Sequence, residues 1–135
     1  MKVNFKKILT ILCLFFALSL SSFSQNYWNK VIKAIIAVES EGNCNARNGQ
    51  CVGPMQISPV CVRECNQILK EKKSTKRYTL ADRYNLQKSK EMFLLIQEKH
   101  NPTNNVEKAI RSWNGGPNYT VAKTNKYYKK VLARM

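Results

Sequence analysis

One carboxylate in this chain of 135 residues stands where a hydrophobic side chain is expected. Trp28, Ile32 and Ile35 recur at helical spacing, and a further step of four reaches Glu39, so a charge closes an apolar stripe. An ionised carboxylate facing a low-dielectric interior is costly unless it is paired, and the expectation is a carboxyl that keeps its proton towards neutrality. That is the property a general acid needs. The plainer reading is that Glu39 frays into solvent, since Ser40, Glu41 and Gly42 follow at once. Other reactive residues give weaker signals. Cys44, Cys51, Cys61 and Cys65 permit three pairings: proximity favours Cys44 with Cys51, while Cys61 and Cys65 share a helical face with Ile68 and Leu69, so that a local bridge and buried thiols are both open. The spacing lacks the paired C-x-x-C of a zinc site, and no metal or cofactor is expected. His100, the single histidine, has no nucleophile in view and reads as a surface or capping residue.

The elements that must hold Glu39 follow from periodicity and caps. Tyr27 to Ser40 reads as a helix with Trp28, Val31, Ile32, Ile35, Ile36 and Val38 on a wide apolar face, stopped at Gly42. Asn43 to Val52 is a loop by composition. Gly53 and Pro54 tighten the chain before Met55, Gln56 and Ile57, and Ser58-Pro59 then looks like an N-cap with proline at the first helical position, opening a helix through Leu69. The basic run Lys70 to Arg77 follows as a solvated segment. Asn85 caps a helix from Leu86 to about Lys99, in which the unbroken run Met92 to Ile96 is expected to be buried. Asn104, with Glu107 three residues on, resembles a capping box before a helix bearing Val106, Ala109, Ile110 and Trp113. Asn114, Gly115, Gly116 and Pro117 stop it. A last helix spans about Thr120 to Ala133, with Val121, Thr124, Tyr128, Val131 and Leu132 on one stripe and lysines opposite. The expectation is an all-α domain of about five helices whose loops carry the unusual residues.

The start of the chain bears on where such a domain works. Lys2, Lys6 and Lys7 precede an apolar run from Ile8 to Leu20, and Ser21 to Ser24 follow, the pattern of a signal peptide cleaved after Ser24. A retained anchor is the alternative, although a span needs roughly 20 apolar residues. Residues 25–135 then form one small domain, located in the periplasm or cell envelope or secreted. The leader holds three lysines and no acid, which leaves 20 basic against 8 acidic residues, a net +12. Such a charge suits a polyanion: nucleic acid, an acidic membrane surface or an anionic cell-wall polymer. Export argues against nucleic acid, and no readout motif is visible.

Four short segments, in order across nearly all of residues 25–135, resemble the lytic transglycosylases with the soluble-type (SLT) catalytic domain, which are related to goose-type lysozyme. They are Glu39-Ser40 at a helix end, Gly53-Pro54-Met55-Gln56-Ile57, Ser112-Trp113-Asn114-Gly115-Gly116, and Thr124-Asn125-Lys126-Tyr127 in the last helix. The resemblance implies a lysozyme-like fold and cleavage of the β-1,4 bond between N-acetylmuramic acid and N-acetylglucosamine in peptidoglycan, ending in a 1,6-anhydro sugar. In that chemistry one carboxyl, here Glu39, protonates the leaving oxygen and then takes a proton from the sugar's C6 hydroxyl, which attacks C1. No water is activated, and no second carboxylate is required.

By motif position, Met55 and Gln56 would line the sugar subsites, Asn114 and the loop at Gly115 would contact the muramoyl side, and Tyr127 would hydrogen-bond Glu39. Two departures stand out. Trp113 replaces the family's usual tyrosine, losing a hydroxyl but keeping an aromatic platform. Asn48 stands where a serine is often found, beside Gln50-Cys51 in place of small residues, and a Cys44–Cys51 bridge would supply rigidity there. The implied partners are peptidoglycan glycan strands, with attachment to a secretion or conjugation machine as an analogy, and the chain reads as a monomer. Two rival readings are a hydrolytic muramidase on the same fold and a non-enzymatic cationic protein that binds the wall or a membrane by charge alone.

Overall fold

A computed structural model describes residues 27–135. The expected leader, with its cleavage after Ser24 and Cys13, lies outside the described residues. By internal contacts the chain divides into Met1–Lys30 and Val31–Met135, and the second unit holds the architecture that follows.

Five helices carry the described fold, as an all-α reading requires. In the first, α1 (27–40), Val31, Ile32, Ala34 and Ile35 are buried, the i, i+3, i+4 pattern of an apolar face. It ends because Glu41 (φ 53°) and Gly42 (φ 84°) turn left-handed in succession, and glycine takes that conformation without steric cost. The expected loop contains a short hairpin, β1 (Arg47–Asn48) paired antiparallel with β2 (Cys51–Val52), with Arg47 opposite Val52 and Asn48 opposite Cys51. Each strand has two residues, too few to display an alternation.

Helix α2 (Pro59–Glu71) opens as expected, Ser58 Oγ accepting from Cys61 N at 3.2 Å. A 3-10 turn over Leu80–Tyr84 leads to α3 (Leu86–His100), where the Asn85 side chain accepts from Lys88 N at 2.9 Å. In the apolar run of α3, Met92 and Phe93 are buried, whereas Leu94, Leu95 and Ile96 are only half-buried. Helix α4 (Val106–Gly115) starts one residue later than a cap at Asn104 would place it. Asn105 is the cap, accepting from Lys108 N at 2.9 Å, and Asn104 instead takes φ 53° to turn the chain. Thr120 caps α5 (Val121–Leu132).

The core gathers Val31, Ile35, Met55, Ile57, Met92, Phe93, Ile110 and Val131, all fully buried. Two buried arginines tie the periphery to it. Arg83 donates through Nε to Leu80 O and through Nη1 to Gln50 O (2.9 Å) and Ile57 O (3.2 Å), holding the hairpin and the segment after it. Arg111 donates through Nη1 to Val121 O and Thr124 Oγ1 and through Nε to Glu107, and its guanidinium lies 4.2 Å from the centre of the Tyr128 ring, so that α5 is clamped on α4.

The four described cysteines are free, and no bridge joins Cys44 to Cys51. On α2 the Cys65 thiol donates to Met92 O at 3.6 Å, and the neighbouring Cys61 thiol together with burial holds the Cys65 thiol above its ordinary range. His100 is exposed at the end of α3, with Nε2 2.8 Å from Glu64. Among the described residues no helix is long and apolar enough to cross a membrane, and no group of three or more His, Cys, Asp and Glu side chains could hold a metal ion.

Candidate active site

Glu39 occupies the last turn of α1, one helical step beyond the buried Ile35 and just before the left-handed residues that end the helix. That placement makes it half-buried, neither swallowed by the core nor frayed into solvent. Across from it, Tyr127 on α5 donates its Oη–H to Glu39 Oε1 at 2.6 Å, over 88 residues of chain. Loss of hydration pushes the Glu39 carboxyl above its usual range, and the Tyr127 hydrogen bond, which favours the ionised form, offsets part of that rise. Burial first, and the facing Glu39 charge second, hold the Tyr127 hydroxyl well above its ordinary range. The phenol therefore stays protonated and donates. The pair is a single carboxyl poised to hold or release a proton, with its orientation set by a neutral donor.

Ser40, next to Glu39, fixes the end of α1 to the segment that follows the hairpin: its Oγ lies 2.8 Å from Pro54 O and accepts from Gly42 N at 3.2 Å. That segment is a compact, unusual backbone. Gly53 has φ 81°, and a Cβ there would lie 1.8 Å from Arg83 O, so no side chain fits. Gln56 takes φ 51°, its Nε2 donating to Gly53 O at 2.9 Å. Because that donor must be the amide nitrogen, Gln56 Oε1 is the atom left over, buried and without a hydrogen-bond partner among the described residues.

The remaining expected site residues divide. Met55 is fully buried, so its side chain fills the core instead of lining a subsite, and what it offers is its carbonyl, which accepts from Trp113 Nε1 at 3.1 Å. Trp113 is half-buried and packs edge-on against Phe93 of α3 at a centroid distance of 5.0 Å, so that α4 is held against α3 by the ring and against the Gly53–Ile57 segment by the indole N–H. Asn114 and Gly115 are exposed at the end of α4. A Cβ on Gly115 would approach Thr124 Cγ2 to 2.7 Å and Tyr119 Cβ to 2.8 Å, so the close return of the chain to α5 requires glycine. Asn48 is exposed on the hairpin. The structure brings Glu39 and Tyr127 into direct contact, and joins α1, the Gly53–Ile57 segment and α4 through Ser40, Met55 and Trp113.

A family model described as the transglycosylase SLT domain matches residues 21–134. The chain belongs to that family. No curated protein and no solved structure matches it. The helical architecture above is that of an all-α, lysozyme-like SLT domain, and membership carries peptidoglycan transglycosylase-type activity, cleavage of glycosidic bonds, as the general class of function.

Ser40, quoted in the first motif segment, bridges α1 to Pro54. Two further residues that support the site of this SLT domain were not singled out from the sequence: Arg83 closes on the carbonyl of Ile57, and Arg111 sets α5, and with it Tyr127. Arg111 carried one readable sign, the Glu107 four residues before it. Arg83 carried none, since its partners are backbone carbonyls, and the two that tie it to the hairpin and the segment after it, those of Gln50 and Ile57, are distant in sequence.

Proposed function

We propose that this SLT domain is a peptidoglycan lytic transglycosylase in which Glu39 acts alone as acid and base. Its protonated carboxyl gives a proton to the glycosidic oxygen between N-acetylmuramic acid and N-acetylglucosamine. As carboxylate, it then removes the proton of the muramoyl C6 hydroxyl as that oxygen bonds to C1. The products are a 1,6-anhydromuramoyl end and a free N-acetylglucosaminyl 4-hydroxyl, and Glu39 is protonated again for the next turnover. Tyr127 holds the carboxyl in place and takes up part of the negative charge between the two steps.

The observation that carries this reading is the isolation of Glu39. Of the eight acids, Glu64, Glu71, Asp82, Glu91, Glu98 and Glu107 are each in an ion pair away from it, and Glu41 is exposed at the left-handed turn. A water-activating partner carboxylate is the usual need of a hydrolase, and Glu41 is the one candidate for it without an ion pair among the described residues. In this reading half-buried Gln56 lines the sugar subsites, and Asn114 with the Gly115 turn meets the muramoyl side. Trp113 holds the groove wall, and exposed Asn48 marks its outer rim. Residues 25–135 are the catalytic domain, and residues 1–24 serve as the export signal that brings it to the cell envelope.

The test is the product mixture from isolated sacculi. Wild type is expected to yield anhydromuramoyl ends, Glu39→Gln to yield none while keeping the native circular dichroism spectrum, and Glu41→Gln to retain the wild-type rate. Reducing muramoyl ends that depend on Glu41 would instead establish a hydrolase.

A further inference from the structure

Charge is unevenly spread along this domain. Beyond Glu107 the chain has seven cations and no acid: Lys108, Arg111, Lys123, Lys126, Lys129, Lys130 and Arg134. Among the described residues six ion pairs lie on α2 and the segment after it, the 3-10 turn, α3 and α4, and none reaches α5. Four of the α5 cations succeed one another at steps of three and four residues. Lys123, Lys126, Lys130 and Arg134 therefore make one row along the helix and its closing turn, all four exposed. The row runs about 10 Å from Lys123 to Lys130 at the helical rise of about 1.5 Å per residue, and Arg134 extends it.

Its position gives it meaning. Tyr127 lies inside the row, four residues after Lys123 and three before Lys130, with its hydroxyl on Glu39. At the far end Lys130 and Arg134 line a hollow of about 300 Å³ together with Ala37, Val38, Ala133 and Glu41, the one acid in that lining. No ion pair or hydrogen bond engages the side chains of the four cations among the described residues. The Arg111 clamp, bonded to Val121 O and Thr124 Oγ1 and stacked on Tyr128, holds α5 and so keeps the row in register with Glu39. Like charges at such spacing repel one another, so the row is a standing cost to an unliganded helix.

We propose that Lys123, Lys126, Lys130 and Arg134 form a carboxylate-binding edge of the active-site groove that engages the acidic peptide stems of the glycan strand. The inference rests on the peptidoglycan reading of Glu39. The stems branch from muramoyl residues, the sugars whose C1 is attacked beside Tyr127, so stem carboxylates on the strand being cut come within reach of a row that flanks that tyrosine. The row then selects stem-bearing strands over bare or charge-blocked ones, and does so through binding, since none of the four side chains touches the Glu39 carboxyl. Each exposed charge contact contributes up to about fivefold in affinity, and four acting together are expected to give about tenfold or more at low ionic strength.

The experiment is sedimentation with insoluble sacculi at low salt, with every protein carrying Glu39→Gln so that binding is read without cleavage. Circular dichroism checks the fold of each variant. The quadruple variant Lys123→Gln, Lys126→Gln, Lys130→Gln, Arg134→Gln is expected to bind about tenfold more weakly than its parent. Near 1 M salt, where the screening length is about 3 Å, that difference closes. Sacculi whose stem carboxyls have been converted to amides are expected to bind the parent as weakly as native sacculi bind the variant. A control with the same loss of charge elsewhere, Arg63→Gln, Lys70→Gln, Lys73→Gln, Lys90→Gln, is expected to bind much as the parent does.

An equal loss in the control means bulk charge is responsible and overturns the proposal, as does parent binding indifferent to amidation. A row dependence found on phosphate-bearing wall polymer or anionic vesicles and not on sacculi overturns it too. Cleavage by the enzyme with Glu39 intact is scored separately. If wild type cuts no glycan while row-dependent, amidation-sensitive binding persists, the enzymatic reading fails and the carboxylate edge stands; if cutting is normal and binding ignores the row, only the edge fails.

Discussion

Replacing Tyr127 with phenylalanine removes one oxygen and keeps the ring, so it isolates the 2.6 Å hydrogen bond to Glu39. A hydrogen bond to an ionised group contributes about 1.5–3 kcal/mol, and one between neutral groups about 0.5–1.5 kcal/mol. Its worth therefore depends on whether Glu39 is charged. Burial already raises the Glu39 pKa in the folded state, and Tyr127 restrains that rise; without the hydroxyl it goes further up. A carboxyl raised in the folded state makes that state bind protons more tightly than the unfolded chain, so stability falls as pH climbs from the ordinary carboxyl range through the raised value. Tyr127→Phe widens this window. Well below it the variant is expected to lose about 1 kcal/mol, and well above it about 2 kcal/mol. At about 4–8 °C per kcal/mol for a domain of this size, the melting temperature drops by about 4–8 °C on the acid side and about 8–16 °C on the alkaline side. In a Glu39→Gln background the same change is expected to cost the smaller amount at every pH. Calorimetric scans of the four proteins across pH decide it. A loss of one size at all pH values in both backgrounds would mean that Tyr127 only packs, and would refute the proton-holding pair.

Other expectations follow from the same contacts. Glu39→Gln removes a buried group that must pay to ionise, so it is expected to raise the melting temperature at neutral pH while leaving it unchanged in acid, as read by the same scans. The rate of glycan cleavage by wild type is expected to fall on the alkaline side as Glu39 loses its proton, and Tyr127, held protonated by burial, contributes no second limb in that range. Gly53→Ala places a Cβ 1.8 Å from Arg83 O at φ 81° and is expected to cost more than about 3 kcal/mol, visible as loss of soluble folded protein. Arg111→Met gives up the bonds to Val121 O and Thr124 Oγ1 in a buried setting; about 1–3 kcal/mol of stability is expected to go, with a fall in cleavage rate as Tyr127 loses its support.

Much of the framework was legible because its signals are local. Ser58-Pro59 and Asn85 open helices where their side chains say they should, and the stripe through Ile32 and Ile35 to Glu39 puts the carboxyl at the edge of the core. The Asn104 cap was misplaced by one residue since two asparagines stand together, and which of them turns left-handed is settled by the chain's path from α3. The hairpin escaped notice because two-residue strands have no period. Met55 and Gln56 were read as a pair of equals, yet the left-handed backbone at Gln56 sends one side chain into the core and leaves the other half-buried with an unpartnered oxygen. The Cys44–Cys51 link that proximity favoured is not formed: Cys44 precedes the hairpin, where Asn48 is the residue opposite Cys51, and nearness in sequence does not set the approach of two side chains. The Glu39–Tyr127 contact itself came from matching segments 88 residues apart; no local pattern specifies it.

The claim that one carboxyl does both proton transfers without an attacking water is tested most directly by digesting sacculi in water enriched in oxygen-18 and weighing the muropeptides. The account predicts anhydromuramoyl products that carry no label and whose formation stops with Glu39→Gln. Labelled reducing ends, formed at the wild-type rate, would contradict it.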